Sequence, residues 1–377
     1  MRDRWWVLGA RNLARQVVHK CVTCTRMKGN TLTPYMGDLP AERVESGFPF
    51  MRCGVDYAGP ISILNRKGRG SQLIKGYICL FVCFATRAVH LELVGSLSTQ
   101  DYLLAFKRFI SRRGKPCQVF SDNGKNFVGA EKELSAVFQN SNDIVDFASS
   151  NHIKFCFIPP YAPHFGGLWE AGVKSCKYHL RRVVGNARLT YEEFSTVLTQ
   201  VEAVLNSRPI SPISTDPDDY LPLTPAHFLL GRPLSAPASE DVVATSTPAC
   251  RYRRLEQLRQ HFWERWSKEY ISELQRRTKW ANKSHNMDIK MGSLVVIKEN
   301  NLPPFKWKMG RVINLFPGKD GVSRVADIRT ATGTIRRASS KICPLPVSTM
   351  EASVTPLQLE DGSSKAAGML ATNNAIY

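Results

Sequence analysis

The stretch from residue 50 to residue 158 alternates short apolar runs with amphipathic helical patterns, and this alternation limits the possible fold more than any other feature. Apolar and β-branched runs predict five strands, at residues 52–58, 76–85, 88–93, 117–121 and 153–158. Apolar residues at helical spacing predict helices at 99–112 and 126–138. Three strands come first, and then strand and helix alternate. The pattern is typical of an α/β domain.

The rest of the chain divides by composition and periodicity into further segments. Helices are predicted at 11–21, 168–184 and 191–207, the last of which is stopped by Arg208-Pro209. The predicted segments are an N-terminal segment (1–40), the α/β core (45–210), a Pro/Ser-rich linker with one ordered piece at 227–230 (211–250), a long charged helix (251–285), a small β domain (286–346) and a disordered tail (347–377).

The charge of the chain points to a polyanionic partner. Lys and Arg total 51 against 32 acids, a net charge of +19 with a pI near 9.6. Residues 251–350 contain 21 basic and 8 acidic residues, so this stretch carries +13 of the excess. Scattered surface cations that only keep a protein soluble would not be concentrated in this way. Nucleic acid is the first expectation and an anionic membrane surface the second.

Neither a signal peptide nor a membrane-spanning run is expected. The longest apolar run, residues 77–85, is about half of what a bilayer crossing needs. We therefore expect the ten cysteines to be reduced thiols in an intracellular protein.

Three acids stand out by their positions. Asp56 lies in the middle of the first predicted strand, where a charge needs a partner. Asp122 ends another strand, and the Asn-Gly turn after it leaves the carboxylate at the strand's C-terminal edge. Glu170 opens a helix after a Gly-Gly loop. The alternatives are that Asp122 is only a turn residue and that Glu170 is only a first-turn acid favoured by the helix dipole.

Convergence of Asp56, Asp122 and Glu170 would produce a site for hard divalent cations. Such cations prefer oxygen ligands, and a pair of them can stabilise both the attacking and the leaving oxygen of a phosphoryl displacement. Mg²⁺, or Mn²⁺ in its place, is the expected cofactor, and DNA phosphodiesters are the expected substrate.

A basic row follows Glu170 on the same helix. Lys174, Lys177 and Arg181 come at spacings that put them on one face with Glu170, beside an apolar stripe. This row is suited to contacts with a DNA backbone. The alternative is an ordinary Glu–Lys pair on a solvated face.

The segments GVDYAGP, SDNGKNFVGA and PPYAPHFGGLWEAGVKSCKYHL together resemble the catalytic core of retroelement integrases, of the RNase H-like DDE class and closest to the BEL/Pao type of LTR retrotransposon. The resemblance implies a mixed five-stranded sheet flanked by helices, with Asp56, Asp122 and Glu170 as the metal-binding triad. It also implies that Lys174 and Lys177 lie near a bound DNA end. Residues 294–346 resemble the small β domain of those polyproteins, expected as an SH3-like barrel. Homo-oligomers in the nucleus are implied as well.

The sequence departs from this family in two places. Between Asp122 and Glu170 lie 47 residues, which we interpret as an inserted surface loop at 139–150, since a longer loop adds little closure entropy. The family's zinc module uses two His and two Cys, and only Cys21 and Cys24 are found here without the upstream His pair. Tetrahedral zinc needs four ligands, so we expect no complete zinc site in this chain alone. If the chain is a fragment of a longer polyprotein, the protease and reverse transcriptase parts of that polyprotein would lie upstream of it.

Other chemistry-bearing residues receive simpler interpretations. His90 is expected to be a strand residue, His164 a loop residue able to touch DNA, and the apolar-flanked cysteines core fillers. The tryptophans of the long helix are expected to pack. In the β domain, Lys306, Lys308 and Arg311 alternate with Trp307 and predict a phosphate-contact surface, to which Arg336, Arg337 and Lys341 add charge.

The function predicted from these features is metal-dependent processing of DNA 3′ ends followed by strand transfer into target DNA. The first alternative is a non-catalytic remnant that binds DNA or chromatin, which the incomplete zinc module favours. The second is a metal-dependent nuclease without joining.

Overall fold

The computed structural model describes residues 9–22, 41–139, 153–159, 167–185, 187–235, 251–281, 289–300, 302–319, 321 and 323–346. Contacts divide the chain into two units, Met1–Glu45 and Ser46–Tyr377. The first unit contains helices α1 (Ala10–Lys20) and α2 (Ala41–Val44). The predicted N-terminal helix is thereby confirmed. Cys24 and the residues around it lie outside the described residues.

The second unit is built on a mixed sheet of five strands. They are β1 (Arg52–Leu64), β2 (Leu73–Cys83), β3 (Val89–Val94), β4 (Gln118–Ser121) and β5 (Lys154–Phe157), in the order β3-β2-β1-β4-β5. The first three strands pair antiparallel, whereas β4 runs parallel to β1 and β5 parallel to β4. A bulge interrupts β1 between Ala58 and Ile61. All five predicted strands are confirmed, and the first is longer than expected.

Helices cover both faces of this sheet. They are α3 (Thr99–Arg113), α4 (Lys125–Gln139), α5 (Gly167–Val184) and α6 (Tyr191–Asn206). One face packs an aromatic cluster against α3 and α4, in which the Phe81 and Phe109 rings stack 4.2 Å apart. The other face packs Leu80 and Ile78 against α5 and α6. This architecture confirms the mixed α/β sheet flanked by helices and fits an RNase H-like fold.

Strand β3 ends the sheet, and its outward backbone groups are capped by side chains. The Asn206 side chain bonds both the N–H and the C=O of Val89, each at 2.8 Å. Glu202 accepts from the Leu91 N–H at 2.8 Å. Tyr191 donates to the Leu93 carbonyl at 2.7 Å. All three side chains come from α6, so this helix supplies partners for four outward backbone groups of the edge strand.

The long helix α8 (Arg251–Ala281) packs onto the sheet domain through its aromatic side chains. Phe262, Trp263 and Trp266 are buried in the cluster that also contains Leu80 and Leu180. The prediction that the helix tryptophans pack is confirmed for Trp263 and Trp266. The side chain of Trp280 lies outside the described residues.

A second, antiparallel sheet follows α8. Its strands are β8 (Leu294–Ile297), β9 (Met309–Pro317), β10 (Ser323–Thr330), β11 (Gly333–Ala338) and β12 (Ile342–Pro344), in the order β11-β10-β9-β8-β12. A single 3₁₀ turn, Ser339–Lys341, joins β11 to β12. An SH3-like barrel in this region stays a prediction.

The first part of the interval 211–250 is folded, and it includes the ordered piece expected at 227–230. Residues 211–235 contain a short ladder of β6 (Ser211–Pro212) and β7 (Pro222–Leu223) and the helix α7 (Pro225–Leu230). Tyr220 packs against the β-domain core, and Ala226 is buried. Pro225 is the first residue of α7, a position where a helix tolerates proline, so the prolines of this interval do not prevent α7 from burying Ala226. Residues 236–250 lie outside the described residues, as do 139–150 beyond Gln139 and the tail from 347.

Among the helices that the structure describes, none combines the length and the apolar character that a membrane crossing requires.

Candidate active site

Asp56 lies near the middle of β1, opposite Leu80 of β2. Side chains alternate between the two sides of a strand, and the neighbouring Val55 belongs to the aromatic cluster under α3 and α4. Asp56 is therefore on the side covered by α5 and α6, with Ala58. Its carboxylate is partly buried, and Oδ1 accepts a hydrogen bond from the Tyr57 N–H at 2.6 Å.

Asp122 follows β4, next to Asp56 in strand register. β1 and β4 run parallel, with Gly54 opposite Phe120. Asp56 and Asp122 each come two residues after that pair. Because residues two apart point to the same side of a strand, both acids fall at adjacent positions on one side of the sheet.

A short turn orients the exposed Asp122 carboxylate. Its Oδ1 accepts a hydrogen bond from the Gly124 N–H at 3.0 Å. A Cβ on Gly124 would lie 3.0 Å from that oxygen and 2.7 Å from the Asn126 side chain. The Asn123 amide donates to the Ile158 carbonyl at 2.7 Å, which ties the turn to the end of β5. The turn interpretation of Asp122 is thus correct, and the turn also faces the carboxylate toward solvent beside Asp56.

Glu170 lies in the first turn of α5, and its side chain is outside the described residues. The helix backbone approaches the sheet closely at Gly172, where a Cβ would lie 3.5 Å from Val82 and 3.6 Å from Leu80. Leu80 is the cross-strand neighbour of Asp56. The backbone therefore brings the first turn of α5 over the strand pair that carries Asp56.

The donor chemistry of this region suits a hard cation. Asp56 and Asp122 supply carboxylate oxygens, which Mg²⁺ prefers to nitrogen or sulfur. Among the side chains that the structure describes, no group of three or more His, Cys, Asp or Glu is arranged to hold a metal ion. The third expected ligand, Glu170, has no described side chain, so the triad stays a prediction.

The predicted zinc ligands form no described site. Cys21 directly follows α1 and is partly exposed, and Cys24 lies outside the described residues. His19 is exposed on α1.

The predicted DNA contacts on α5 lie on its solvent side. Lys177 and Arg181 are exposed, whereas Cys176 and Leu180 are buried against the sheet. The Lys174 side chain lies outside the described residues. α5 therefore presents cations to solvent along the length that leads away from Glu170.

The predicted cations of the β domain have three different environments. Lys306 is exposed. The Lys308 ammonium pairs with Glu299 at 2.5 Å. Arg311 is 6% exposed, and its guanidinium donates to the carbonyls of Asp219, Ser214 and Gly292 at 2.8–3.0 Å. Each of its three guanidinium nitrogens therefore donates to a backbone carbonyl, and a phosphate contact by Arg311 stays a prediction. Arg311 joins the folded 211–235 segment to the β domain.

Sequence reasoning missed a buried polar network on the far edge of the sheet. His90 is fully buried, and its ring contacts Glu92 at 3.0 Å and Glu202 at 3.4 Å. Arg108 pairs with Glu92 at 2.7 Å, and Arg113 pairs with Glu202. Burial lowers the pKa of His90. Burial alone would raise the pKa of Glu202, but its bonds to His90 and Arg113 lower it overall. The presence of His90 and Glu92 within the apolar strand HLEL was the available signal.

The cysteine interpretation holds for the buried thiols. Cys79, Cys83 and Cys176 are buried, and burial raises the pKa of the Cys176 thiol to about 12. Such thiols are poor nucleophiles at neutral pH. Cys117 and Cys156 are partly exposed. His90 is a strand residue, as predicted, and His164 lies outside the described residues.

Residues 250–345 match the model of a family described as a family of unknown function, DUF5641. The match begins with α8 and runs through the β domain, about a quarter of the chain. No curated protein matches the chain.

Solved structures similar to the chain include an intasome of simian T-cell lymphotropic virus in complex with the PP2A regulatory subunit B56 gamma. Identity is 14%, the similarity covers 89% of this chain and 91% of that one, and the TM-score is 0.34. The HTLV-2 integrase catalytic core domain in complex with magnesium is similar in a trimeric form, at 18% identity over 48% of this chain and 97% of that one, with a TM-score of 0.29. Its dimeric form is similar at 20% identity over 42% and 88%, with a TM-score of 0.27. These neighbours are retroviral integrases.

Proposed function

We propose that this chain is a retroelement integrase of the DDE class, from a BEL/Pao-type LTR retrotransposon. It would trim the 3′ ends of element DNA with water and then join the freed 3′-hydroxyls to target DNA. Both steps are in-line displacements at a phosphodiester and need no covalent protein intermediate.

The observation that carries the proposal is the register of β1 and β4. It brings Asp56 and Asp122 to adjacent positions on one side of the sheet, although 65 residues separate them in the sequence. The backbone of α5 approaches the neighbouring Leu80 two residues after Glu170. Asp56 and Asp122 are thus in register, and Glu170 lies on a helix that covers the same strands. This arrangement supports a metal-binding triad of the three acids.

Asp56, Asp122 and Glu170 would hold Mg²⁺ or Mn²⁺. When bound, the metal would lower the pKa of a water or 3′-hydroxyl and stabilise charge on the phosphate oxygens. The turn at Gly124 holds the Asp122 carboxylate in place, so little reorganisation is needed before DNA arrives. Lys177 and Arg181 would contact DNA phosphates along α5, with Lys174 beside them.

The remaining partners follow from charge and stoichiometry. The net charge of +19 favours DNA as the polyanion, with contacts that weaken steeply as salt is raised. Lys306 and Lys308 would extend the contact surface to the β domain. Joining two DNA ends needs at least two cores, so we propose a homo-oligomer, and DNA as the substrate implies a nuclear site of action.

The test is the substitution Asp122→Asn, which removes a ligand charge with little change in side-chain volume. The full-length protein is incubated with labelled duplex DNA and Mg²⁺ or Mn²⁺, and nicked and joined products are separated on a denaturing gel. We expect Asp122→Asn to reduce product formation at least about 100-fold, since removal of a metal ligand cripples both steps. Salt-sensitive DNA binding should be retained.

Glu192→Gln is the matched control, because Glu192 is an exposed acid in the first turn of α6, away from the site. It should form products at the wild-type rate. Cleavage that persisted in Asp122→Asn would overturn the triad.

The alternative is a DNA- or chromatin-binding remnant without catalysis. The net charge of +19 suits this alternative as well, since binding to DNA phosphates needs no catalytic acids. DNA binding by the wild type, with no products in either metal, would support this alternative. Nicked products without joined ones would support a nuclease.

A further inference from the structure

A pocket of about 720 Å³ lies beside the β1 bulge, between the sheet, the C-terminal half of α5 and the start of α6. About half of its lining surface is apolar, and most of the apolar side chains are aliphatic, among them Ile61, Leu73 and Val184. Phe194 is the one aromatic residue among the lining residues that the structure describes, and it is 1% exposed. The pocket falls within the size range of small-molecule sites.

Three cations surround the mouth of this pocket. Lys177, Arg181 and Arg188 line it and are exposed. No acid in the described part of the chain pairs with any of them. The acid next to Phe194, Glu193, is already engaged by Arg251 at 2.5 Å and by Lys67 at 3.7 Å. The mouth therefore carries positive charge without local compensation, which attracts anions.

We propose that this pocket binds a small organic anion with an aliphatic body, such as a medium-chain carboxylate. The chain would lie against Ile61, Leu73 and Val184 and lose contact with water, and the anionic group would lie among the three cations. Aliphatic walls favour such a body over a nucleic-acid base, because bases stack on exposed aromatic faces. Both parts of the ligand are required, since neither the cations nor the wall alone would select it.

Occupancy of the pocket would also affect DNA binding. Lys177 and Arg181 belong both to the pocket mouth and to the row assigned to DNA, so the ligand and DNA would compete for them. This consequence rests on the proposed function, whereas binding of the anion does not.

The binding test uses the full chain without metal or DNA, in low-salt buffer where charge contacts are least screened. Isothermal titration calorimetry measures three probes, namely decanoate, decanol as the body alone and inorganic phosphate as the anion alone. We expect decanoate to bind at least roughly tenfold more tightly than either single-feature probe.

Two variants test the location. Ser62→Trp puts a large side chain at an exposed strand position on the pocket rim, and the double variant Arg181→Glu and Arg188→Glu reverses the charge at the mouth. Each should weaken decanoate binding at least roughly tenfold. Arg182→Glu is the matched control, since Arg182 is the next residue on α5, stacks 3.5 Å over the Tyr178 ring and does not line the pocket. It should bind decanoate like the wild type.

Equal weakening by Arg182→Glu and by the double variant would overturn the assignment to this pocket, as would wild-type affinity in Ser62→Trp. Decanol binding as tightly as decanoate would overturn the anion requirement. Decanoate that binds without weakening the affinity for duplex DNA would overturn the competition. None of these outcomes depends on the cleavage assay with Asp122→Asn, so failure of the pocket and failure of the proposed catalysis can be told apart.

Discussion

Gly310 lies where strands β9 and β10 leave no room for a side chain. A Cβ at this position would lie 2.5 Å from Ile328 Cγ2 and 2.7 Å from the Arg329 carbonyl oxygen. The second neighbour is backbone within a sheet ladder and cannot move without disturbing the strand pairing. The two strands can therefore approach this closely only because residue 310 has no Cβ.

We predict that Gly310→Ala lowers the free energy of unfolding of the β domain by about 1–3 kcal/mol, because overpacking forces the backbone to shift. Urea unfolding followed by circular dichroism measures the change. The control is Gly167→Ala, at the first position of α5, where a Cβ would meet nothing within 4 Å. Stability of Gly310→Ala equal to that of the wild type would contradict the close approach.

At the scale of elements, one ion pair joins the starts of two helices. Glu193 completes a capping box with Thr190 at the start of α6, and it also accepts two hydrogen bonds from Arg251, the first residue of α8. These bonds from Arg251 lower the pKa of Glu193 to about 2, from an ordinary value of 4.5. The contact fixes where α8 begins on the sheet domain.

We predict that Glu193→Gln destabilises the protein by about 1–2 kcal/mol at neutral pH, since Gln keeps the capping box but loses the charge. The folded-state pKa is depressed, so the ion pair stabilises the fold fully above pH 4.5, and this stabilisation is lost as the pH falls toward 2. The wild-type advantage should therefore shrink between pH 7 and pH 3. Urea midpoints of both proteins across this range test it, and a constant difference would contradict the ion-pair origin.

The strands and helices were predictable because each depends on local pattern. The runs in β1 to β5 and the helical spacing in α3 to α6 indicate these elements without knowledge of their neighbours. Arg311 is a residue whose environment the local pattern does not indicate. It occurs in a basic run typical of phosphate contacts, yet its partners Asp219 and Ser214 come 92 and 97 residues earlier. The packing of Tyr220 on the β-domain core likewise depends on residues far along the chain, so the local pattern indicated only the ordered piece at 227–230.

The candidate site was predictable in part. Asp56 and Asp122 stand out because a charge in an apolar strand and an acid at a strand end are unusual in the sequence. Their adjacency depends on the parallel pairing of β1 with β4, which no local pattern indicates. The buried contact between His90 and Glu202 likewise joins residues 112 positions apart.

At the scale of the whole molecule, Trp307 joins the β domain to the sheet domain. Its ring lies edge-on to Trp263 at 4.8 Å and near Trp266 and Tyr270. It packs both against the cluster of the sheet domain that contains Leu80 and against the β-domain core. Its indole N–H approaches the Ser207 hydroxyl at 3.4 Å, at the end of α6. The family match that starts at residue 250 thus covers a helix and a sheet that pack together onto the core.

We predict that Trp307→Ala destabilises the protein by about 2–3 kcal/mol, less than for a fully buried tryptophan because the ring is partly exposed. It should also separate thermal unfolding into two transitions, one for each domain, in differential scanning calorimetry. Trp307→Phe keeps an aromatic ring at the junction and should retain a single transition. A single transition in Trp307→Ala would show that other contacts are sufficient to couple the domains.

The capped edge of β3 limits how copies of this chain can meet. Asn206, Glu202 and Tyr191 already bond four of the backbone groups that an incoming strand would need. A neighbouring copy cannot extend the sheet at this edge unless α6 first releases it, and the same holds for growth of the sheet into a fibril. Any assembly at this side of the core must therefore form through helix surfaces, whose side chains can be varied without unfolding a strand.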